Sequence, residues 1–397
     1  MKLGIDVSTY FEELENNARY FKDGKPIDPL DEFIKNGVCS MRIRVWNNPY
    51  SLNNKPYLGG TCDLNNFIKL AKLAKSKGFS IYLDLHYSDF WADPGKQTKP
   101  KQWAGLGIDE LVLKVKEYTL EVLNRIKEED IDLEMIQVGN EITNGMLWPE
   151  GKLIEHEDGP RTNYESLTRL LKAGLSACKA VYPNALRMIH LERSYDMNVY
   201  YEFFSKMKEY NVDYEVIGAS YYPYWHGTID QLLENLTFQR KMFNKKIVIA
   251  ELGYAFTLED YILNNNGQID LVVNKDNLDS FGFVKDYPIS KDGQAKFVRD
   301  FISKCNLEDI DGIYYWEPLW IPGKNICWAS IEGEAYIGEA NKPTRNEWAN
   351  QCMFDYDGNM NPSFNEFKLK NNGWCHYSFF INLIEKWTKN LVILNDL

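Results

Sequence analysis

The sequence lacks an apolar run long enough to cross a bilayer, and it lacks a linker rich in proline, glycine or serine. Its seven cysteines are odd in number and include no C-x-x-C pair. These absences argue against a membrane span, a separate binding module, a zinc site and a complete disulfide framework. We therefore expect a single domain over residues 1–397 with free thiols, which favours a reducing compartment.

Positive charge is also scarce, since 45 lysines and arginines stand against 57 aspartates and glutamates and leave a formal net charge of −12. A surface that is negative overall repels nucleic acids and polyanionic substrates, and no basic patch is evident. Met1 is followed almost at once by a strand-like run, so we expect no signal peptide in this chain. A secreted enzyme trimmed to its mature start would look the same, and we favour the cytoplasm. We expect a monomer without nucleic-acid or membrane partners.

Short β-rich runs alternate with amphipathic helical stretches along the chain. We expect strands at 3–7, 41–45, 80–85, 135–138, 187–190, 216–219, 246–250 and 312–315. We expect helices at 63–77, 109–129, 163–181, 198–210, 229–243 and 291–305. Eight strands that each precede a helix predict a (β/α)8 TIM barrel. A doubly wound open sheet is the alternative, but such sheets usually have fewer strands, and no G-x-G-x-x-G motif opens the first helix.

Four connections are longer than a barrel needs, and all of them follow the carboxyl ends of predicted strands. They span residues 47–61, 87–107, 254–290 and 317–372, and the last precedes a predicted helix at 377–390. In a barrel, the loops at this face build the substrate site.

Two glutamates stand where predicted strands end. Glu141 follows Asn140 after the fourth strand, and Glu251 ends the seventh. Hydrolysis of a glycosidic bond needs two such carboxylates, one protonated and one ionised. Asn140 is placed to bond a sugar hydroxyl, and Tyr221 or Tyr222 to donate to Glu251. The plainer interpretation of a single strand-end glutamate is a solvated surface residue or a helix-capping residue.

Nine of the eleven tryptophans fall at strand ends or in the segments that follow them. Large rigid rings around one mouth of a barrel suit stacking against sugar faces, and we expect this of Trp91 in particular. About half of these rings are expected instead to pack the long loops together. The nine are Trp46, Trp91, Trp103, Trp148, Trp225, Trp316, Trp320, Trp328 and Trp348.

Five longer strings carry a resemblance to a known family: RIRVWNNPY (42–50), LDLHYSDFWADPGKQTKPKQW (83–103), QVGNEITNGMLWPEGK (137–152), SYYPYWHGT (220–228) and YYWEP (314–318). In register from Gly4 to about Phe367, the chain closely resembles glycoside hydrolase family 53, the arabinogalactan endo-β-1,4-galactanases. The resemblance implies a barrel of the clan of retaining hydrolases. It implies that Glu141 is the acid/base and that Glu251 is the nucleophile.

The resemblance also implies that five residues support the sugar at the point of cleavage: Arg44, His86, Asn140, Tyr222 and Trp316. Three places depart from the family. HLERSYD (190–196) replaces a small polar turn, AELGYAF (250–256) carries a leucine after the glutamate, and the loop 261–290 lacks a cluster resembling the bacterial calcium site. The tail 371–397 matches nothing that we can identify.

A calcium loop is the one metal site that the spacing suggests elsewhere. Asp355, Asp357, Asn359 and Glu366 fall at ligand positions, but Met360 stands where the turn requires glycine. Asp-Gly turns are common without an ion. We therefore expect no metal ligands and no required cofactor.

These observations predict a retaining endo-β-1,4-galactanase that acts on β-1,4-galactan, as in type I arabinogalactan and pectic side chains, or on galacto-oligosaccharides. Another retaining β-glycanase of the same clan, acting on mannan, xylan or glucan, would share the two glutamates and differ in its loops. A carbohydrate-binding barrel that has lost turnover is the alternative from another class.

Overall fold

The structure is a computed structural model, and it describes residues 1–157, 159–261, 271–278, 286–338 and 344–369. Eight parallel strands close into a barrel in which neighbours follow chain order and the eighth strand pairs with the first. The predicted TIM barrel is confirmed. We number the barrel strands β1 (Lys2–Asp6), β2 (Ser40–Val45), β3 (Ser80–Leu85), β4 (Met135–Val138), β5 (Leu186–Leu191), β6 (Val216–Tyr221), β7 (Lys246–Leu252) and β8 (Gly312–Trp316).

Ten α-helices lie in the described ranges, and the six that were predicted agree at both ends to within two residues. The other four are seven residues long or shorter, too short to show a helical period in the sequence. The predicted helix at 377–390 lies outside the described residues. The helices are α1 (Tyr10–Glu15), α2 (Pro29–Lys35), α3 (Leu64–Lys77), α4 (Ile108–Glu128), α5 (Tyr164–Val181), α6 (Met197–Glu209), α7 (Ile229–Phe243), α8 (Lys291–Leu307), α9 (Ile331–Ile337) and α10 (Ser363–Glu366).

Local chemistry fixes where the long helices begin. The carboxylate of Asp63 accepts a hydrogen bond from the backbone N–H of Asn66 at the start of α3, and Ser290 caps α8 in the same way. Thr228 and Gln231 form a capping box at the start of α7. These caps satisfy backbone N–H groups that the first turn of each helix would otherwise leave without a partner, and so they set where each helix begins.

Side chains inside the barrel form two layers. The lower layer is apolar and consists of a cluster contributed by all strands from β3 to β8. Its largest members are the rings of Tyr82 and Tyr314, which meet edge to face with centroids 5.0 Å apart. Above it lies a layer of polar side chains from the middle and upper parts of the strands. The complete lower cluster is Tyr82, Met135, Met188, Val216, Val248, Ala250 and Tyr314.

Two further features of the described part of the chain concern its helices and its cysteines. None of its helices is both long enough and apolar enough to span a bilayer. The cysteines at 62, 178, 305, 327 and 352 are free thiols, as the odd count predicted.

Gly4 on β1 leaves room for the ring of Tyr314, and replacing it tests how tightly the lower layer is packed. A Cβ atom at this position would lie 2.2 Å from a ring carbon of Tyr314. We expect Gly4→Ala to lower the free energy of unfolding by about 1–3 kcal/mol, because overpacking forces neighbouring side chains out of their preferred rotamers.

Urea unfolding of both glycine variants would measure this. The matched control is Gly105→Ala, because a Cβ there would have no atom within 4 Å. The control should stay within about 0.5 kcal/mol of the wild type. Equal unfolding free energies for the two variants would contradict tight packing around Tyr314.

Candidate active site

A cleft of about 450 Å³ opens at the carboxyl ends of the barrel strands. Its wall comes from loops that follow six strands, β3 to β8, as expected for a barrel enzyme. The lining includes both strand-end glutamates and seven tryptophan or tyrosine rings. Its principal residues are His86, Trp91, Asp93, Asn140, Glu141, Glu192, Tyr195, Tyr222, Trp225, Glu251, Trp316, Trp328 and Trp348.

The tryptophans divide between the lining of the cleft and the packing around it. Trp91 and Trp328 stack with centroids 4.4 Å apart, and both line the cleft together with Trp225, Trp316 and Trp348. A second group is fully buried and packs the loops from below: Trp46, Trp103 and Trp320. Trp148 is partly buried and donates its ring N–H to the carbonyl of Asn144.

Backbone irregularities aim both glutamates into the barrel mouth. After β4 the chain turns sharply, with Gly139 at φ 83° and Glu141 itself in the left-handed region at φ 48°. In β7 the pairing with β6 shifts register, so that Ser220 faces Glu251 although Ala219 faces Ile249. Strict alternation from the inward Ala250 would point Glu251 outwards, and the bulge corrects this.

The two carboxyl groups lie close together. One oxygen of Glu141, one oxygen of Glu251 and one ring nitrogen of His190 all lie within 4.8 Å of one another. Retaining glycosidases hold their two carboxyl groups about 5–5.5 Å apart, whereas inverting enzymes need roughly 6.5–9.5 Å to admit a water molecule. The pair is therefore spaced for double displacement.

Glu251 is held by two groups that favour its ionised form. The guanidinium of Arg42 lies 3.0 Å from Oε1, and the hydroxyl of Tyr222 donates a 2.7 Å hydrogen bond to Oε2. Burial raises the pKa of Glu251, and Arg42 and Tyr222 both act against that rise. The predicted tyrosine contact is made by Tyr222, while Tyr221 donates to the carbonyl of Gly227.

Glu141 lies in the opposite environment. Burial first, and then the negative charges of Glu251 and Glu192, raise its pKa well above the usual value for a glutamate. Its Oε1 is 2.5 Å from the hydroxyl of Ser220. Two carboxyl groups whose surroundings separate their pKa values take different roles, so Glu141 is suited to donate a proton and Glu251 to attack.

Asn140 and His86, both predicted to contact the sugar, are tied firmly into the protein. Asn140 accepts from Arg42 at its amide oxygen and donates to the carbonyl of Ala92 with one of its two N–H groups. The ring of His86 lies between Trp46, whose N–H it accepts, and Asp84, to which it donates. The sugar contacts of these residues stay predictions, and the second N–H of Asn140 is the group with hydrogen-bonding capacity left.

Arg44 lies one level below the rings of the cleft. Its guanidinium is 2.6 Å from Glu317 and donates to the carbonyl of Gly59, and it sits 4.6 Å from the ring centre of Trp91. Trp316 lines the cleft beside Trp91. The arginine that contacts the nucleophile is Arg42, which the sequence reasoning missed.

Several polar residues of the upper layer were missed in the same way. Each lies on an inward position of a strand that is otherwise apolar, and side chains in a strand alternate between its two faces. These residues could have been found by looking for charged or polar side chains two residues from another inward-facing position of the same strand. These residues are Asp6, Arg42, Asp84, Gln137, His190 and Ser220.

Two places in the described ranges bear on metal binding, and much of the loop 261–290, where the resemblance raised a calcium site, lies outside the described residues. Within the described ranges, the one cluster of three or more candidate ligands is Glu141, His190 and Glu251, which is the carboxyl pair itself. In the Asp-Gly turn, the carboxylate of Asp355 accepts from the backbone of Asn359 and pairs with Lys291. Those contacts explain the turn without an ion, and the absence of a required metal stays a prediction.

A (β/α)8 barrel that brings two glutamates in contrasting surroundings together at the ends of β4 and β7 is typical of a retaining glycoside hydrolase. Residues 2–367 match the sequence model of glycosyl hydrolase family 53, and the chain belongs to that family.

Three similar proteins illustrate the relationship. An endo-β-1,4-galactanase of Bacillus subtilis is 32% identical, over 93% of this chain and 86% of that protein. An uncharacterized protein of Niallia circulans is 35% identical, over 92% of this chain and 93% of that protein. The solved catalytic domain of a family 53 protein from Ignisphaera aggregans superimposes with a TM-score of 0.80 and 38% identity, covering 92% of this chain and 95% of that one.

Loss of the Tyr222 hydroxyl should change the pH profile in one direction. The hydrogen bond from Tyr222 lowers the pKa of Glu251, so Tyr222→Phe should raise that pKa and move the acid limb of kcat/KM to higher pH. A hydrogen bond to a charged group is worth enough for activity at the optimum to fall about ten- to a hundredfold.

The measurement is a pH series of initial rates with galactan. Tyr221→Phe is the matched control, because it removes the neighbouring buried hydroxyl without touching Glu251. This control should keep the wild-type acid limb even if it is less stable. An unchanged acid limb in Tyr222→Phe would show that Tyr222 does not support the ionised nucleophile.

A second group of buried acids lies behind Arg44. Glu12 on α1 accepts hydrogen bonds from the backbone N–H of Gly60 and the hydroxyl of Thr61. Burial raises the pKa of Glu12 to about 8, against the opposing effect of those two donors. Burial raises the pKa of Glu317 to about 8 as well, despite its contact with Arg44. The folded protein therefore holds protons here that the unfolded chain releases.

These protons make stability fall as the pH rises. The contribution of Glu12 is complete below its unfolded pKa of 4.5 and is lost as the pH rises through about 8. We expect Glu12→Gln, which is neutral at every pH, to show a shallower decline of the unfolding free energy between pH 5 and 8. Urea unfolding across this range measures the slope.

The matched control is Glu15→Gln on the same helix, because the side chain of Glu15 is 69% exposed. Its stability curve should run parallel to that of the wild type. A Glu12→Gln curve that is also parallel would mean that Glu12 is ionised throughout the range.

Proposed function

We propose that the protein is a retaining endo-β-1,4-galactanase that hydrolyses β-1,4-galactan or its oligosaccharides. The observation that carries this proposal is the close pair of Glu141 and Glu251 in a family 53 chain, with Arg42 and Tyr222 on the nucleophile. The Bacillus subtilis relative, whose name states endo-β-1,4-galactanase activity, supports the choice of substrate.

In the first step, an ionised oxygen of Glu251 attacks the anomeric carbon. The bond from that carbon to the glycosidic oxygen breaks, and the proton of Glu141 passes to the leaving oxygen. The products are a glycosyl ester on Glu251 and a released sugar chain. In the second step, Glu141 takes a proton from water, the oxygen of that water attacks the anomeric carbon, and Glu251 leaves as a carboxylate.

The cleft supplies the surroundings that this chemistry needs. Arg42 and Tyr222 stabilise the charge that returns to Glu251 in the second step. The rings of Trp91, Trp316 and Trp328 offer flat apolar faces for galactose units. Every proton and electron pair in the two steps is supplied by side chains, sugar or water, so the reaction requires no cofactor. The overall negative charge of the chain favours a neutral glycan over nucleic acid as its partner.

The test is the time course of products from linear β-1,4-galactan, with mannan, xylan and glucan as controls. We expect mixed galacto-oligosaccharides from the first minutes, with the β anomer formed first in the NMR spectrum. Glu141→Gln and Glu251→Gln should each lower kcat by at least about a thousandfold. Glu209→Gln on the outer face of α6, where the side chain is 58% exposed, is the matched control and should keep full activity.

Three results would overturn the proposal in different ways. Cleavage of a control polymer but not of galactan would keep the mechanism and change the substrate. The α anomer as first product would exclude double displacement. Binding of galactan without release of reducing ends would make the protein a carbohydrate-binding barrel.

A further inference from the structure

A chain of hydrogen bonds leads away from Glu141 on the side opposite the cleft, and it involves residues without a role in the steps above. The hydroxyl of Ser220 lies 2.5 Å from Oε1 of Glu141 and 2.9 Å from Nε2 of His190. Nδ1 of His190 lies 2.9 Å from the amide oxygen of Asn140. Ser220 and His190 are fully buried, so these contacts are made within the protein and not with water.

The donor and the acceptor in each hydrogen bond of this chain can be assigned, because the side-chain amide of Asn140 at its far end has only one possible orientation. The amide oxygen of Asn140 lies 2.9 Å from Arg42, which can only donate, and the amide nitrogen lies 2.9 Å from the carbonyl of Ala92, which can only accept. The side chain of Asn140 cannot be flipped without opposing both of them. Its oxygen is therefore an acceptor, and Nδ1 of His190 must carry the hydrogen that lies between them.

The state of His190 then fixes the hydrogen of Ser220. Burial and the nearby charge of Arg42 lower the pKa of His190 well below its usual value, so the ring is neutral. A neutral ring with a hydrogen on Nδ1 has a lone pair on Nε2. Ser220 has one hydrogen, and donating it to Nε2 leaves the hydroxyl oxygen as an acceptor towards Glu141. The short contact to Oε1 is then satisfied by a proton on Glu141.

We infer that Ser220 and His190 are positioning residues that store the acid/base proton on Glu141 in the free enzyme. This inference rests on the proposed role of Glu141. In the free enzyme the proton sits on Oε1 and points to Ser220. When a sugar occupies the cleft, a half-turn of the Glu141 carboxyl group carries its protonated oxygen to the position of Oε2, where it faces the glycosidic oxygen. Ser220 then turns its hydrogen from His190 to the oxygen that has taken the position of Oε1.

The same rotation supports both halves of the reaction. As the proton leaves Oε2 for the glycosidic oxygen, Glu141 becomes an anion, and the hydrogen bond from Ser220 to Oε1 strengthens. When Glu141 takes a proton from water in the second step, Ser220 can return its hydrogen to His190. His190 competes with Glu141 for one hydrogen, and so it opposes ionisation of Glu141 until substrate is bound.

Other charged groups surround the chain and are common to every variant in the test below. Around Glu141 they are Glu251, Glu192 and Asp93. Around His190 they are Arg42 from β2, Asp84 and His86 from β3, and His226 from the loop after β6, with Glu251 of β7 within 4.8 Å. A change in the pH profile that results from substituting Ser220 or His190 therefore measures the effect of these hydrogen bonds on Glu141.

Two substitutions should move the alkaline limb of kcat/KM, which follows Glu141, to lower pH by different amounts. His190→Asn keeps a donor towards Asn140 but removes the acceptor Nε2, so Ser220 donates to ionised Glu141 and the limb should fall by about one pH unit. Ser220→Ala removes both the acceptor of the proton on Oε1 and the donor to ionised Glu141, so the limb should fall by less than in His190→Asn. KM should stay near the wild-type value for both variants, because neither side chain reaches the sugar.

Ser194→Ala is the matched control, because its buried hydroxyl donates to the carbonyl of Ser220 and not to Glu141. It should leave the limb in place, and Ser220→Thr, which keeps the hydroxyl, should restore the wild-type limb. A limb that does not fall in His190→Asn, or that falls as far in Ser220→Ala, would overturn the inference. Structural damage lowers activity but does not place the two limbs in this order.

A measurement independent of activity uses protein labelled with 15N in its histidines. The signals that His190→Asn removes identify His190, and they should show a neutral ring with hydrogen on Nδ1. Hydrogen on Nε2, or a charged ring near neutral pH, would overturn the inference even if galactan is cleaved. Failure of the galactan assay with the Nδ1 form present would count against the proposed function and leave the hydrogen-bond chain intact.

Discussion

Arg42 is buried inside the barrel, and its guanidinium contacts carboxylates from three different strands. It lies 2.8 Å from Asp6 on β1, 2.8 Å from Asp84 on β3 and 3.0 Å from Glu251 on β7. It also donates to Asn140 after β4. A buried charge is tolerated only when it is paired and hydrogen-bonded, so the three buried carboxylates depend on Arg42 as their shared cation. The position of the nucleophile is thus tied to the closure of the barrel.

The same contacts set the difference between the two catalytic carboxyl groups. Arg42 lies against Glu251 and, through Asn140, fixes the polarity of the hydrogen bonds that end at Glu141. Glu251 is therefore stabilised as an anion by direct contact with a cation. Glu141 is connected to the same cation only through the neutral side chains of Asn140, His190 and Ser220. Because both are buried, these small differences in partner decide which group holds the proton. The acid and the nucleophile therefore differ in their hydrogen-bond and ion-pair partners, and not in how deeply they are buried.

Features that depend on residues close together in the sequence were predictable. Features that depend on contacts between different strands of the closed barrel were not. The strands, the long helices and the strand-end positions of Glu141 and Glu251 follow from runs of neighbouring residues. The bulge in β7 depends on pairing with β6, and nothing in the sequence of that strand marks it. Arg42 and Arg44 both face into the barrel from β2. Which of them contacts the nucleophile depends on how far along the strand each one lies relative to Glu251. The contacts of His190 could not be predicted either, because its partners Asn140 and Ser220 come from other strands.

The strands carry the polar layer that holds the two carboxyl groups, whereas the loops carry most of the aromatic rings that line the cleft. This difference indicates which residues can change the substrate preference. The polar layer belongs to the strands, whose positions are fixed by pairing on both sides. Trp91 is linked to that layer, since its ring lies 4.6 Å from the guanidinium of Arg44 and stacks on Trp328. By contrast, Tyr195 and Trp225 also line the cleft but are each 44% exposed, and they are not part of the polar layer. Substitutions at Trp91 would disturb the layer below it. We therefore expect the preference for polymer or short oligosaccharide to be altered more readily at Tyr195 and Trp225 than at Trp91.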